Sequence, residues 1–454
     1  MGKPASQEEQ TLYRKLAEIV SPENVITDTQ MVTNYNVDGL TPGAVIFASA
    51  TEQVSQIITA ANQSHASIIP WGSGSKQQVG PCLSQADVVL CLKKMNRIIE
   101  LDTSNFTTQI EAGIINGDLQ KQLAKHQLFF PLDPPCMEIS TIGGELATNA
   151  SGPLRAGYGT ARDIVLGITA VTPTGDIVHT GGKTMKNVAG IDLCKMFLGS
   201  WGTLGIITEV VLRTSPLPEV SKSLCLTFAK IENAGATINQ LLHSPLTPTS
   251  VELLDEVAEH RLDYNYGSHL TEGEVMLLIA ISGGTEEVER HLTEIKTIAE
   301  ANKARHIAII EGQETARIWN AYREIHQLML NATASTLQGK ASVPISKLGD
   351  MFKAVKKVGA NYSTEIGIRA HGYNGILYPY VIAGDNDATR IVGDLRQAAV
   401  DLAGQFTVEF APLWVRNSVN VLPDRGDYTL MKQLKTEFDP NNILNPGRVV
   451  GGLY

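Results

Sequence analysis

The 454-residue sequence lacks a long apolar run, a paired-cysteine motif and any dense basic patch. Its longest apolar stretches, such as Val275 to Ile281, fall far short of the roughly 20 residues that span a bilayer. Five cysteines (Cys82, Cys91, Cys136, Cys194, Cys225) show no C-x-x-C or metal spacing, which argues against an iron–sulfur cluster in this chain. Their odd count and low density fit a reducing cytoplasm, where such thiols serve as small buried hydrophobes. A net charge of −10 argues against nucleic acid or a basic membrane-surface patch as partner. No cationic segment followed by an apolar core opens the chain, so no secretory signal is expected. Gly2 with Ser6 fits the loose myristoylation pattern, which is short enough to arise by chance.

What is present is glycine, 40 residues of it, in a chain 43% hydrophobic and 19% charged. That composition is soluble and globular, and the length suggests roughly two to four domains of about 100–200 residues. Leu12, Leu16 and Ile19 recur at helical spacing over 8–20. Ala44 to Ala48 reads as a strand, a helix starts at Thr51, and Ser67 to Pro70 is a strand running into Trp71-Gly72-Ser73-Gly74-Ser75. Val88 to Leu92, Thr107 to Ala112, Ile164 to Val171, Ile177 to Thr180 and Ile206 to Arg213 are further strands. Two prolines in Ser215-Pro216-Leu217-Pro218 mark a boundary. Beyond it, strands at Ser223–Phe228, Glu274–Ser282, Ala304–Ile310 and Ile376–Ala383 alternate with helices near 231–243, 285–302 and 386–403. This predicts an antiparallel sheet covered by helices on one face. A tail from about 420 returns to helix at Tyr428–Phe438.

Two Gly-rich regions carry the chemistry. In Gly72-Ser73-Gly74-Ser75, consecutive N–H groups can form an anion-binding nest or simply a tight surface turn; no G-x-G-x-x-G or Walker A spacing is present there. Lys76 could neutralise a phosphate or stand in solvent. The longer block from Phe130 to Arg213 contains Pro131-Leu132-Asp133-Pro134-Pro135, Thr141-Ile142-Gly143-Gly144, Asn149-Ala150-Ser151-Gly152, Tyr158-Gly159 and Gly202-Thr203-Leu204-Gly205. Glycine there lets backbone N–H groups approach a ligand. Such clusters point to one extended ligand, a nucleotide with a flat ring against Gly and Ala backbone and donors from Ser140, Thr141 and Ser151.

Ile69 to Ser75, Thr141 to Gly144 and Gly202 to Glu209 resemble the FAD-binding half of vanillyl-alcohol-oxidase-type (PCMH-type) flavoproteins. Met185 to Leu193 and the ending Phe438-Asp439-Pro440 to Leu444-Asn445-Pro446-Gly447-Arg448 resemble the glycolate/D-lactate dehydrogenase branch. The resemblance covers almost the whole chain and implies an α+β protein: a two-subdomain FAD-binding domain over 1–215 (about 1–100 and 101–215), a cap domain over 216–418 and a tail over 419–454. It implies FAD, with pyrophosphate on the loop Gly72-Ser73-Gly74-Ser75-Lys76, the flavin ring near 134–152 (Pro134, Ser140, Thr141, Gly143, Gly144, Asn149, Ser151, Gly152), adenine-side contacts at Gly205, Ile206 and Ile207, and Trp71 and Tyr158 also in the cofactor-binding set. Asn445 belongs to the same set. Ser75 stands where covalent members carry His, so the FAD is expected to be noncovalent.

The family's metal-binding Gly-Asp-Gly-Asn-Leu-His and Glu-His-Gly stretches are replaced here by Arg369 to Tyr378 and Val408 to Trp414, so no metal is expected. That departure resembles the smaller of the two flavin-fold subunits of bacterial glycolate oxidase, which works beside a dehydrogenase subunit and an iron–sulfur subunit. Removing hydride from a 2-hydroxy acid needs a base near the hydroxyl and cations for the carboxylate. His371 is the base candidate, with a structural histidine as the alternative. Arg323, Arg369 and Lys340 are clamp candidates that could equally be solvated or ion-paired. The expectation is an FAD-binding subunit oxidising glycolate or D-lactate and passing electrons to an iron–sulfur partner. It would be cytoplasmic, or membrane-peripheral through its partners. A stand-alone dehydrogenase and a flavin-holding subunit without turnover are the alternatives.

Overall fold

Three sheets organise the chain. The computed structural model describes residues 7–184, 190–267, 269–382, 387–422 and 425–448, so Met185 to Ala189 of the motif above lies outside the described residues. The first sheet has four strands in the order Val25–Ile26, Ala44–Phe47, Val88–Cys91, Ile68–Trp71. The last three are parallel, and Val88–Cys91 is buried at every position, as suits a strand covered on both faces. The Thr51–Gln63 helix that crosses between two of them buries Val54, Ile57, Ile58 and Ala61. Its N-cap position is Ala50, without a side-chain cap; instead Gln53 accepts from the Ser49 N–H at 2.9 Å.

The second sheet runs Ile98–Asp102, Thr107–Glu111, Ile206–Arg213, Val165–Val171, Ile177–Gly181, entirely antiparallel. Ile164 closes a short helix rather than opening its strand. The tail threads back onto the first sheet: Ile68 N–H donates to Ile443 C=O at 2.7 Å, and Asn445 N–H donates to Ile68 C=O at 3.0 Å.

The third sheet has eight antiparallel strands, ordered Ala304–Ile310, Val220–Phe228, Val275–Gly283, Ser250–Asp255, Glu365–His371, Ile376–Ile382, Leu337–Ser342, Gln405–Phe410. Four of these were not anticipated from the sequence. Helices Ile231–Leu242, Thr285–Ala301, Leu348–Asn361 and Ala388–Asp401 pack on one face around the largest apolar cluster. The expectation of helices on one face needs correction. The Gln313–Leu330 helix covers the opposite face, burying Ile318, Trp319, Tyr322, Ile325, His326 and Met329 at helical spacing. Because strand side chains alternate between faces, this second layer collects the polar members of the strands beneath it.

Candidate functional site

The Ile68–Trp71 strand delivers its C-terminal end into a cleft between the first two sheets. Trp71 to Lys76, Thr141, Gly143, Gly144, Gly205, Ile206, Ile207 and Asn445 all line it. Close approach requires glycine at several of these positions, Gly143 and Gly205 among them. A Cβ on Gly143 would stand 2.8 Å from the Ala112 Cβ and 2.9 Å from its carbonyl oxygen; one on Gly205 would stand 2.7 Å from the Phe197 ring. Thr141 caps the Ile142–Ala147 helix, accepting from Gly144 N–H at 3.3 Å. Trp201, Gly202 and Arg448, to which the sequence reading assigned no ligand contact, also line the cleft.

Buried cations hold the loop that follows Lys76. Arg416 and Arg448 both pair with Asp38. Arg416 donates to the carbonyls of Gln78 at 3.1 Å and Gly80 at 3.2 Å, and Arg448 to those of Val79 at 2.5 Å and Gln77. Burial pushes both guanidinium groups down to about 10. Asn445 donates to Trp201 C=O at 2.6 Å, while its Oδ1 is buried without a hydrogen-bond partner. A glycine-lined cradle, flanked by an unpaired buried acceptor and by Lys76, whose side chain forms no hydrogen bond or ion pair among the described residues, suits an extended dinucleotide.

The remaining expected ring-side residues stand outside this cleft. Ser140 donates to Glu145, a wholly buried carboxyl that also accepts from Asn116 at 2.8 Å and that burial pushes up to about 8. Ser151 accepts from Arg155 at 3.0 Å, and Tyr158 meets Phe129 edge-on at 5.4 Å. Gly152 packs on the Asp133 backbone, whose next residue is Pro134. Asn149 takes a left-handed φ of 48° with a buried, unpartnered Oδ1.

A second polar cluster lies under the Gln313–Leu330 helix. Antiparallel register places Glu252 directly opposite His371, so both side chains share a face. His371 Nδ1 sits 2.7 and 2.9 Å from the two carboxyl oxygens of Glu252, and Tyr322 donates its hydroxyl to the same carboxyl. His371 Nε2 is buried with no hydrogen-bond partner among the described residues. Two residues earlier on the same strand, the Arg369 guanidinium stacks 5.4 Å from the Tyr322 ring and 5.1 Å from the Tyr378 ring. Lys340 pairs with Glu409 at 3.3 Å, and Tyr378 and Glu409 hold its ammonium above the ordinary value. Burial, then Arg155, Arg369 and Lys340, push His371 well below its ordinary value, which keeps the imidazole neutral. Burial pushes Glu252 up to about 8 against Tyr322, Arg369 and Arg155.

The structure therefore brings His371, Arg369 and Lys340 together, and sets Arg323 at the edge, 3.7 Å from Asp133. Glu252, Tyr322 and Arg155 were missed. Two carboxylates in the apolar run Val251-Glu252-Leu253-Leu254-Asp255 were the available signal, since a charge in a buried strand needs a partner. The eight-stranded sheet is tied to the glycine-rich part by Gly80 N–H, which donates to Glu409 C=O at 3.2 Å, and by Gly157 N–H, which donates to Thr249 C=O at 3.2 Å. Among the described residues no group of three or more His, Cys, Asp or Glu is placed to hold a metal ion, and no helix is long and apolar enough to cross a membrane.

Comparison with known proteins agrees with this geometry. Residues 42–181 match the FAD binding domain family, and residues 217–449 match the C-terminal domain of FAD linked oxidases. The chain is 32% identical over 452 residues to glycolate oxidase subunit GlcD of Bacillus subtilis, covering 96% of each. It is 28% identical to the mitochondrial D-lactate dehydrogenase [cytochrome] of Arabidopsis thaliana, covering 90% of this chain and 73% of that one. The solved structure of p-cresol methylhydroxylase with substrate bound shares the fold at 19% identity, with a TM-score of 0.79 over 100% of this chain and 98% of that one. The chain belongs to the FAD-linked oxidase family and is an FAD-dependent oxidoreductase of the glycolate oxidase/D-lactate dehydrogenase type.

Proposed function

We propose that this chain oxidises a small 2-hydroxy acid, glycolate or D-lactate, at the cluster around His371, and that the electrons leave through an iron–sulfur partner. One observation carries the proposal: a neutral, buried imidazole whose Nε2 has no partner, set among Arg369, Arg155 and Lys340. Such a nitrogen is an acceptor awaiting a proton donor. The adjacent cations suit a carboxylate, and burial strengthens their pull by excluding water. FAD bound along Trp71 to Lys76 and Gly143 to Gly144 supplies an acceptor for the two electrons and the hydrogen that leave C2. His371 Nε2 takes the hydroxyl proton, Arg369 and Lys340 orient the carboxylate, and Lys76, which lines the cleft, would neutralise the cofactor's phosphates. The partner is inferred because none of the five cysteines has cluster spacing and because the Bacillus subtilis relative is itself a subunit.

Anaerobic titration of the purified, FAD-loaded protein with a panel of hydroxy acids tests this. Glycolate or D-lactate is expected to bleach the flavin absorbance, and His371→Ala is expected to abolish the bleaching. Bleaching by the chain alone, with electrons passed on to soluble acceptors, would favour the stand-alone dehydrogenase. A flavin that stays oxidised with every acid, alone and with co-purifying subunits, overturns the proposal and leaves a flavin-holding subunit.

A further inference from the structure

The base assigned to His371 has an uncommon neighbour. Glu252 lies 119 residues away in sequence, yet faces His371 directly across two antiparallel strands and spans its Nδ1 with both carboxyl oxygens. We infer that Glu252 is a positioning residue for this reaction: its carboxylate holds the proton of His371 on Nδ1, aims Nε2 at the substrate hydroxyl and steadies the imidazolium that forms when Nε2 takes the proton.

Three observations support this. Tyr322 donates its hydroxyl to the same carboxyl, so Glu252 is occupied as an acceptor from one side and turned toward His371. The Tyr322 side chain is wholly buried in the apolar face of the Gln313–Leu330 helix, so this second donor has a fixed position. The ring plane of His371 is set as well, since Tyr378 meets it edge-on at 5.4 Å and 88°. Once Glu252 is ionised, Nδ1–H is committed to a carboxylate, so Nε2 is the nitrogen left with a lone pair, and it is buried without a hydrogen-bond partner among the described residues. During turnover the hydroxyl O–H bond breaks and its proton joins Nε2. The Nδ1–H bond stays intact throughout, and the C2–H electron pair leaves to the bound flavin.

The inference rests on His371 being the base, and its tests separate the two. The groups facing the pair are Tyr322, Arg369, Arg155 and Asp133 around Glu252, and Arg155, Arg369, Lys340, Glu409 and Tyr378 around His371. The first measurement is the rate of flavin reduction by glycolate or D-lactate in FAD-loaded wild type and Glu252→Gln, followed from pH 5 to 9. Glu252→Gln is expected to slow reduction by about 10²–10⁴-fold, the range of a positioned acid–base pair. It should also move the acidic limb of the profile downward by at least one pH unit, because the extra proton then has only the cation-ringed imidazole to bind. A slower variant with an unmoved limb marks Glu252 as structural and overturns the inference. If His371→Ala reduces as fast as wild type, the base assignment itself fails.

The second measurement needs no variant of Glu252. Nitrogen-15 spectra of histidine-labelled, FAD-loaded protein at pH 9, where Glu252 is ionised, with the His371 signals identified by their loss in His371→Gln, should show the proton on Nδ1. A proton on Nε2 overturns the inference even where the protein turns over, and a proton on Nδ1 supports it even where no hydroxy acid reduces the flavin.

Discussion

Arg323 and Asp133 face each other at 3.7 Å across the boundary between the helix over the eight-stranded sheet and the Pro131–Pro135 segment of the flavin-binding part. Asp133 also accepts from Leu154 N–H at 3.0 Å. Burial pushes its carboxyl up to about 7, with Arg323 pulling in the opposite direction. The contact is thus a neutral–cation pair in acid and an ion pair above neutrality, and it joins the two halves that enclose the site.

Removing the guanidinium should matter only where Asp133 is ionised. Arg323→Met is expected to lower stability by about 1–3 kcal/mol at pH 8.5, the cost of leaving a buried charged group unmatched, with little change at pH 5. Denaturant unfolding of wild type and variant at the two pH values checks it. Equal losses at both values would show that the arginine acts by packing alone.

Glu145 predicts a pH dependence of its own. Its folded-state ionisation, at about 8, lies above the ordinary carboxyl value of 4.5. The folded protein therefore holds a proton that the unfolded chain has released across that window. Stability from this group is complete below the ordinary value and is lost as pH rises through about 8, with a slope of at most about 1.4 kcal/mol per pH unit. Glu145→Gln keeps an acceptor for Asn116 and turns an amide N–H toward Ser140, whose hydroxyl oxygen then accepts instead of donating. It should match wild type at pH 5 and unfold later at pH 9, as read from thermal melts.

Two glycine substitutions should have opposite signs. Gly143→Ala forces a Cβ against Ala112. Overpacking of about 1–3 kcal/mol at the cleft wall should weaken FAD binding by roughly tenfold or more, at about 1.4 kcal/mol per tenfold. Gly235→Ala, in the Ile231–Leu242 helix, meets nothing within 4 Å. It should stabilise the protein by about 0.4–1 kcal/mol and leave FAD affinity alone. Flavin fluorescence titration and unfolding midpoints read both.

The tail offers the most severe test. Lys435 is buried and donates to Asp439 and to the carbonyls of Thr203 and Leu444, each at 2.9 Å. Asp439 in turn accepts from Ile443 and Leu444 N–H at 2.9 and 2.8 Å. Lys435→Met strands the carboxylate, at a cost of about 3–5 kcal/mol. Gly202 and Asn445 line the cleft beside this lock, so FAD affinity should fall with stability. A variant that melts like wild type would show the lock to be dispensable.

Elements with a strong local signature were legible in the sequence. The Ile206–Arg213 strand, the Ala304–Ile310 strand and the Tyr428–Phe438 helix lie where their apolar patterns place them. Ser250–Asp255 was not read as a strand, because Glu252 and Asp255 interrupt its apolar run and their partners are distant. Asp255 is matched by Lys356 and by Ile368 N–H at 2.9 Å, and Glu252 by His371. Leu337–Ser342, with Gln338, Gly339 and Lys340 in succession, is a strand only because strands on both sides pair with it.

The same division runs through the site. Glycine at Gly72, Gly74, Gly143 and Gly205 and the Asn445-Pro446-Gly447 ending determine, by themselves, a backbone shaped for a dinucleotide, since the freedom or bulk of a residue acts on its immediate neighbours. Which side chains become chemical was decided only by tertiary structure. Burial and cross-strand register turn Glu252 and His371 into a pair, surround them with Arg369, Arg155 and Lys340, and leave Nε2 open. Charge interactions of that strength require exclusion of water, and only the folded packing of helix on sheet provides it.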